Sequence, residues 1–218
     1  MPSDAYILGF DTSAAHCAAA LLRGSDVLET HVEEMGKGQA ERLMPMLEEM
    51  LARHAIGWRD LAAIGVGIGP GNFTGVRIAV SCARGLALSL QIPAIGVSVF
   101  DARALGLPRP LAVIEDARRG EVYLQIFRNA AEPPQLLPVE EAATLAQGMP
   151  FTGTGAEAAY ALCDCGVNID EDLGMPLAEA IARIAAERRA MTQPRPAPLY
   201  LRAADAAPPA DPAPVILP

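Results

Sequence analysis

A glycine- and proline-rich turn set between an apolar strand and a long apolar helix constrains this chain more than any other stretch. Residues 61–68 read Leu-Ala-Ala-Ile-Gly-Val-Gly-Ile, an apolar run of strand length. Gly69-Pro70-Gly71-Asn72-Phe73-Thr74-Gly75 follows, and then a helix-compatible segment to residue 90. Glycine at 69 and 71 permits a sharp reversal, and Asn72 or Thr74 is placed to cap the helix. Free backbone N–H groups at such a helix start favour an anion. Two named phosphate loops are excluded all the same. Val76 follows Gly75 where a P-loop needs lysine, and Thr74 stands where the dinucleotide fingerprint needs its third glycine.

The helix is small or apolar almost all round, with Arg77, Ser81 and Arg84 as its only polar stripe. A helix of that kind is buried on two sides. Gly75 and Gly85 inside it cost about 1 kcal/mol each against alanine. With Ala79, Cys82 and Ala83 they read as a face of small residues that lets another backbone come close. One side packs on the chain's own sheet. The other meets either a second layer of the same chain or a partner protein, and an internal core helix and an interface helix both stay open here.

At 218 residues the chain makes one large domain or two small ones. No run approaches the roughly 18 apolar residues of a membrane span, and Met1-Pro2-Ser3-Asp4 lacks the features of a secretory signal. Cys17, Cys82, Cys163 and Cys165 have neither zinc nor Cys-x-x-Cys spacing, which places the chain in a reducing compartment. His16, His31 and His54 are scattered, so no metal site is expected. No serine lies in a Gly-x-Ser-x-Gly context. The net charge is −9 and Lys37 is the only lysine, which disfavours a large autonomous nucleic-acid footprint. No aromatic-plus-basic cluster is visible along the sequence, and weak binding of nucleic acid by the chain alone is expected. The adjacent arginines at 118–119 and 188–189 read as solvated turns or helix ends before RNA sites.

Taken in order, the chain offers strands at 5–10, 17–22 and 27–32 and an amphipathic helix at 39–54 whose start Pro45 should bend or delay. The strand at 61–68, the helix to 90, a strand at 93–97 and a segment capped by Ser98 follow. After 106–110 the opening recurs: a strand at 111–115 ends in Asp116 and a strand at 121–127 returns from it. Residues 149–155 and a helix through 162 echo the strand–glycine–helix stretch more weakly. The expected organisation is two related α/β halves, 1–106 and 107–202, each a mixed sheet with packed helices, and an Ala/Pro-rich tail at 203–218. A last helix is expected at 176–189 and a strand-like piece at 199–202. Asp11 and Asp116 end the two first strands, where a carboxylate either holds a metal–nucleotide pair or bonds its own turn.

Six stretches together resemble the bacterial TsaB (YeaZ) family, in the family's order and over residues 5 to about 202. They are Phe10-Asp11-Thr12-Ser13, Glu41-Arg42-Leu43-Met44-Pro45, Gly69-Pro70-Gly71-Asn72-Phe73-Thr74-Gly75-Val76-Arg77-Ile78, Ile95-Gly96-Val97-Ser98, Asp116-Ala117-Arg118-Arg119-Gly120-Glu121-Val122-Tyr123 and Pro198-Leu199-Tyr200-Leu201-Arg202. The resemblance implies two ribonuclease-H-like halves of the actin/Hsp70 (ASKHA) type. It implies a cytoplasmic, non-catalytic subunit needed to form N6-threonylcarbamoyladenosine at position 37 of tRNAs that read ANN codons. The catalytic, metal-binding partner would be TsaD, with TsaE as an associated ATPase and tRNA reached only through the complex. The family's partner surface maps here onto Thr74, Gly75, Ile78, Ala79, Cys82 and Gly85, beside the glycine-turn motif Gly69, Pro70, Gly71, Asn72, Phe73 and Arg77. A homodimer through the same helix is a further use of it. Nucleotide is not expected to bind firmly. ATP or ADP at the complex interface, or else a second protein interface, would involve Asp11, Thr12, Ser13, Asp116 and Arg118. Gln39 stands where many relatives carry histidine. The rival classes are a stand-alone actin-like ATPase or kinase and an M22-type, glycoprotease-like metallopeptidase.

Overall fold

The computed structural model describes residues 4–163, 167–168 and 175–202. Cys165 and the tail at 203–218 lie outside the described residues. The first meander is β1 (Tyr6–Asp11), β2 (His16–Arg23) and β3 (Asp26–Glu34), all antiparallel. It is followed by α1 (Gln39–Arg53), β4 (Leu61–Gly67), α2 (Phe73–Leu90) and β5 (Ala94–Val97), with β4 parallel to β1 and β5 parallel to β4. The sheet order is β3-β2-β1-β4-β5.

A short α3 (Val99–Arg103) leads into the second copy. Its strands β6 (Leu111–Asp116), β7 (Glu121–Phe127) and β8 (Gln135–Pro138) are antiparallel, and α4 (Val139–Leu145), β9 (Pro150–Thr152), α5 (Ala156–Tyr160) and β10 (Val167–Asn168) complete it. The order β10-β9-β6-β7-β8, with β9 parallel to β6 and β10 parallel to β9, repeats the first sheet strand for strand. The helix-sized gaps fall at the same two connections in each copy. A parallel pair needs such a crossover, whereas the meander strands need only a turn.

α1 buries Leu43, Met46, Leu47, Met50 and Leu51, the helical spacing of an amphipathic face. Pro45 does not delay it. The helix runs unbroken from Gln39, and Pro45 lies on the exposed side, where the carbonyl it cannot reach is open to water. The expectation of a strand at 199–202 is also corrected: this segment is extended but joins neither sheet.

The last helix, α6 (Leu177–Arg188), does not stay with the expected 107–202 half. It lies on the first sheet, where Ala178, Ile181, Ala182 and Ala185 pack with Ile7, Ala20 and Ala63. Glycine in β1 and β4 makes this possible. A Cβ at Gly9 would sit 2.6 Å from the Ala178 carbonyl, and one at Gly65 would sit 2.8 Å from the Ile181 carbonyl. Reciprocally, Phe100 of α3 and Ala104 pack with Leu111, Val113 and Phe127 of the second sheet. The helix that follows each copy therefore closes the core of the other.

By length and composition α2 is a helix that could cross a membrane, contrary to the reading that no run comes near that length. Here it is a layer of the first half, with Val76, Ala79, Val80 and Ala83 in the same core as Leu8, Phe10 and Ile64. It is buried on one side and not on two. Thr74, Arg77, Ser81, Arg84, Gly85 and Leu88 face outward, and Leu88 is 81% exposed.

Candidate functional site

The glycine turn and α2 meet the end of β1 with almost no room to spare. Asn72 caps the helix, its Oδ1 accepting from the Thr74 N–H at 3.0 Å and the Gly75 N–H at 3.1 Å. The amides that an anion would need are thus taken up by the cap. Gly75 presses on the β1 end so closely that a Cβ there would lie 1.9 Å from the Thr12 carbonyl oxygen, while Thr12 Oγ1 donates to the Gly75 carbonyl at 2.7 Å. Two residues of the expected partner surface are consequently internal. Gly75 faces β1, and Ala79 is 0% exposed in the core. Thr74 and Gly85 do lie on the outer face, with Ile78 and Cys82 half-buried beside them, and nothing stands within 4 Å of a Cβ at Gly85.

Asp11 is fully buried. Its Oδ1 accepts from the Ser13 N–H at 2.9 Å, from Ser13 Oγ at 2.7 Å and from His16 Nε2 at 3.0 Å, while Oδ2 has no partner. Asn72 N–H in turn donates to the Ser13 carbonyl. Asp11, Thr12 and Ser13 therefore bond one another and the glycine turn. They do not fit a bound phosphate: the two hydroxyls and the Ser13 amide all donate within the protein. Asp116 likewise serves its own turn, Oδ1 accepting from the Arg118 N–H at 2.8 Å.

Burial works against a charged imidazolium at His16. The Asp11 hydrogen bond and the charges of Asp11 and Glu34 outweigh it, with Arg103 opposing, and hold its pKa above the ordinary 6.5. A folded-state pKa raised in this way gives stability that is complete below about pH 6.5 and fades as the pH rises through the folded value. Urea unfolding at a series of pH values should show the free energy falling over that window. His16→Gln should lose this component; an identical pH profile in the variant would refute it.

The histidines stand apart, as their sequence scatter indicated: His31 bonds Glu33 and His54 bonds Glu29. Among the described residues no three His, Cys, Asp or Glu side chains converge as a metal site would require. Burial pushes the Cys17 and Cys82 thiols up to about 11, so both remain protonated.

Between the two sheets lies an open cleft of about 1090 Å³. Its floor is a polar crossing of the two halves. Arg103 Nε of α3 donates to Glu115 Oε1 at 3.1 Å, and Thr154 Oγ1 donates to Glu115 Oε2 at 2.7 Å while accepting the Asp116 N–H at 2.9 Å. Residues 199–202 strap its mouth. Leu199 N–H bonds the Ile68 carbonyl, Leu199 and Leu201 pack on the second sheet, and Arg202 Nη2 reaches the Ala117 carbonyl and Glu121 Oε2.

The strap also brings together residues that the sequence separates by more than a hundred positions. Tyr200 stacks on Phe73 with ring centres 5.0 Å apart. The Arg77 guanidinium sits 3.8 Å over the Phe73 ring, and its Nε donates to Tyr200 Oη at 2.7 Å. This overturns the reading that no aromatic-plus-basic cluster exists. Its only sequence signal is that Phe73, Arg77 and Tyr200 all belong to the stretches that carry the family resemblance.

A family model described as "TsaD: tRNA N6-adenosine threonylcarbamoyltransferase" matches residues 31–208. A protein of Escherichia coli (strain K12) described as "tRNA threonylcarbamoyladenosine biosynthesis protein TsaB" is 40% identical over 123 residues, which are 54% of this chain and 52% of that protein. The chain spans about half the length of the curated relatives it matches. Among solved structures, "YeaZ from Pseudomonas aeruginosa" aligns with a TM-score of 0.70 at 28% identity, over 90% of this chain and all of that one. Component A of the (R)-2-hydroxyglutaryl-CoA dehydratase of Acidaminococcus fermentans aligns with a TM-score of 0.52 at 12% identity, over 85% of this chain and 99% of that one, and so shares the fold alone. The fold these structures share is thus one of two mixed α/β sheets, the two related halves that the sequence repeat implied.

Proposed function

Because this chain belongs to the TsaB (YeaZ) branch of the family described as tRNA N6-adenosine threonylcarbamoyltransferase, we propose that it is a non-catalytic subunit in the formation of N6-threonylcarbamoyladenosine on tRNA. In this reading it works in the cytoplasm, where it docks on TsaD, the transferase, and TsaE joins them. The observation that carries the reading is the outer face of α2. A helix that follows a family-specific turn leaves Leu88 81% exposed and Gly85 open to close approach, so among the described residues an apolar strip has no cover. The docking set is accordingly Thr74, Ile78, Cys82, Gly85 and Leu88, without the internal Gly75 and Ala79. A second copy of the chain can use the same strip in the absence of TsaD.

The chemistry of the interior favours a scaffold. The histidines each pair with one carboxylate and the β1 loop engages its own donors, so among the described residues these groups offer no ready place to a catalytic metal or to a nucleotide phosphate in that loop. ATP or ADP would then be held where the partner contributes groups of its own.

The test is reconstitution of tRNA modification with TsaD, TsaE, ATP and the threonylcarbamoyl donor, with and without this chain. Nucleoside analysis of the recovered tRNA should show the modified adenosine only in the complete mixture. Equal modification without the chain would refute the reading, and steady ATP turnover by the purified chain alone would favour the ATPase or kinase alternative.

A further inference from the structure

We infer that the mouth of the cleft takes single-stranded RNA, a base stacking on the Phe73–Tyr200 pair and flanking phosphates meeting Arg118 and Arg119. The inference rests on the tRNA-modification reading and adds a direct RNA contact to a chain otherwise assigned only a docking role. Three independent observations carry it.

The first is charge. The chain as a whole is acidic at −9, yet five of its sixteen arginines line this one cleft against two carboxylates, Glu115 and Asp116. Arg103 and Arg202 are paired with Glu115 and Glu121, so the local excess of positive charge comes from Arg77, Arg118 and Arg119 against Asp116. The local sign is therefore opposite to that of the molecule, as an electrostatic footprint for a polyanion requires. The second is the aromatic pair. Phe73 and Tyr200 are 42% and 44% exposed although they stack on each other, and Arg77 fixes both by lying over one ring and bonding the hydroxyl of the other. Rings held in place at a cationic surface are the usual platform for an unpaired base. The third is the hairpin tip. Arg118 and Arg119 have φ of +63° and +58°, a backbone region that asparagine and glycine occupy more readily than arginine. Nothing in the turn geometry calls for arginine there, while both side chains line the cleft.

A free nucleotide in the β1 loop is a poorer occupant, because Asp11, Thr12 and Ser13 engage their donors internally. An acidic protein segment would use the arginines but has no need of flat exposed rings.

The test uses the whole chain, a fluorescently labelled unmodified tRNA transcript, and a labelled RNA hairpin of its anticodon arm. Binding is followed by anisotropy over a salt series. Given the overall negative charge, the parent should bind weakly, at about 10–100 µM in low salt, within the range of non-specific complexes. Arg118→Asn with Arg119→Asn should weaken binding about tenfold and reduce the slope of log K against log salt by about 1.4, the value for two single-strand phosphate contacts. Its melting temperature should stay level or rise, since asparagine suits the turn. Tyr200→Leu should weaken binding about tenfold with the slope unchanged. Loss of both variant effects, or no RNA binding by the parent at 100 µM and low salt, overturns the inference. Complete displacement of RNA by equimolar ADP or inorganic triphosphate overturns it in favour of a free-nucleotide site, and displacement by polyglutamate in favour of an acidic protein. Modification assays run in parallel keep the two readings apart. If the parent supports modification and the RNA arm fails, this inference alone falls; if the parent supports none, the reading beneath it falls too.

Discussion

Gly75→Ala is expected to cost about 3 kcal/mol or more, the upper end of what overpacking does. Intrinsic preference points the other way, because alanine is favoured over glycine inside a helix by about 1 kcal/mol. Geometry decides the sign. The new Cβ would stand 1.9 Å from the Thr12 carbonyl oxygen, a backbone atom that cannot swing aside. Thr12 is held by its own bond to Gly75, and its neighbours Asp11 and Ser13 are buried and mutually bonded. Gly85→Ala, ten residues on in the same helix, meets nothing within 4 Å and should instead stabilise by up to about 1 kcal/mol. For a domain of this size 1 kcal/mol moves the melting temperature by about 2–4 °C. The two variants should therefore melt on opposite sides of the parent, Gly75→Ala lower by roughly 6–12 °C. If both rise, α2 does not sit against β1 as described.

That pair of glycines also marks where sequence reading stops. The strand–turn–helix stretch, the opening meander and the Asp116 hairpin were legible because their signals are local: apolar runs of fixed length, turn residues and a capping asparagine. The two-copy architecture was legible because those signals recur. Which side of α2 faces the sheet was legible only in part: the narrow stripe of Arg77, Ser81 and Arg84 does mark the outer face, but the apolar residues on either side of it gave no boundary. Grouping Ala79 with Gly85 as one small face ignored that they lie about 120° apart on a 3.6-residue wheel. Ala79 ends in the core and Gly85 outside it. The return of α6 to the first sheet escaped for a different reason. Its signal is split between glycines in β1 and β4 and alanines in α6, well over a hundred residues away. The Phe73–Arg77–Tyr200 cluster escaped likewise: its members meet only because the strap bonds Ile68 of the first half and packs on the second sheet.

The wheel geometry gives the second large effect, on association. Gly85→Leu places a bulky side chain in the middle of the outer face, between half-buried Cys82 and exposed Leu88. Leucine is a good helix former and the position is open, so the isolated chain should melt no lower than the parent. Close packing of a partner helix against that glycine is what the substitution removes. Loss of contacts at the centre of an ordinary interface costs 2 kcal/mol or more, and about 2.7 kcal/mol corresponds to a hundredfold weaker complex. The affinity for TsaD should therefore fall by about a hundredfold in calorimetric titration, and any self-association seen in sedimentation should fall with it. Because Gly85 does not line the cleft, binding of RNA by Gly85→Leu should keep the parent's affinity and salt slope. Undiminished TsaD binding would mean that the apolar strip around Leu88 is not the docking face. An early melt would mean instead that Gly85 is packed inside the fold, and the interface reading would fail on that ground.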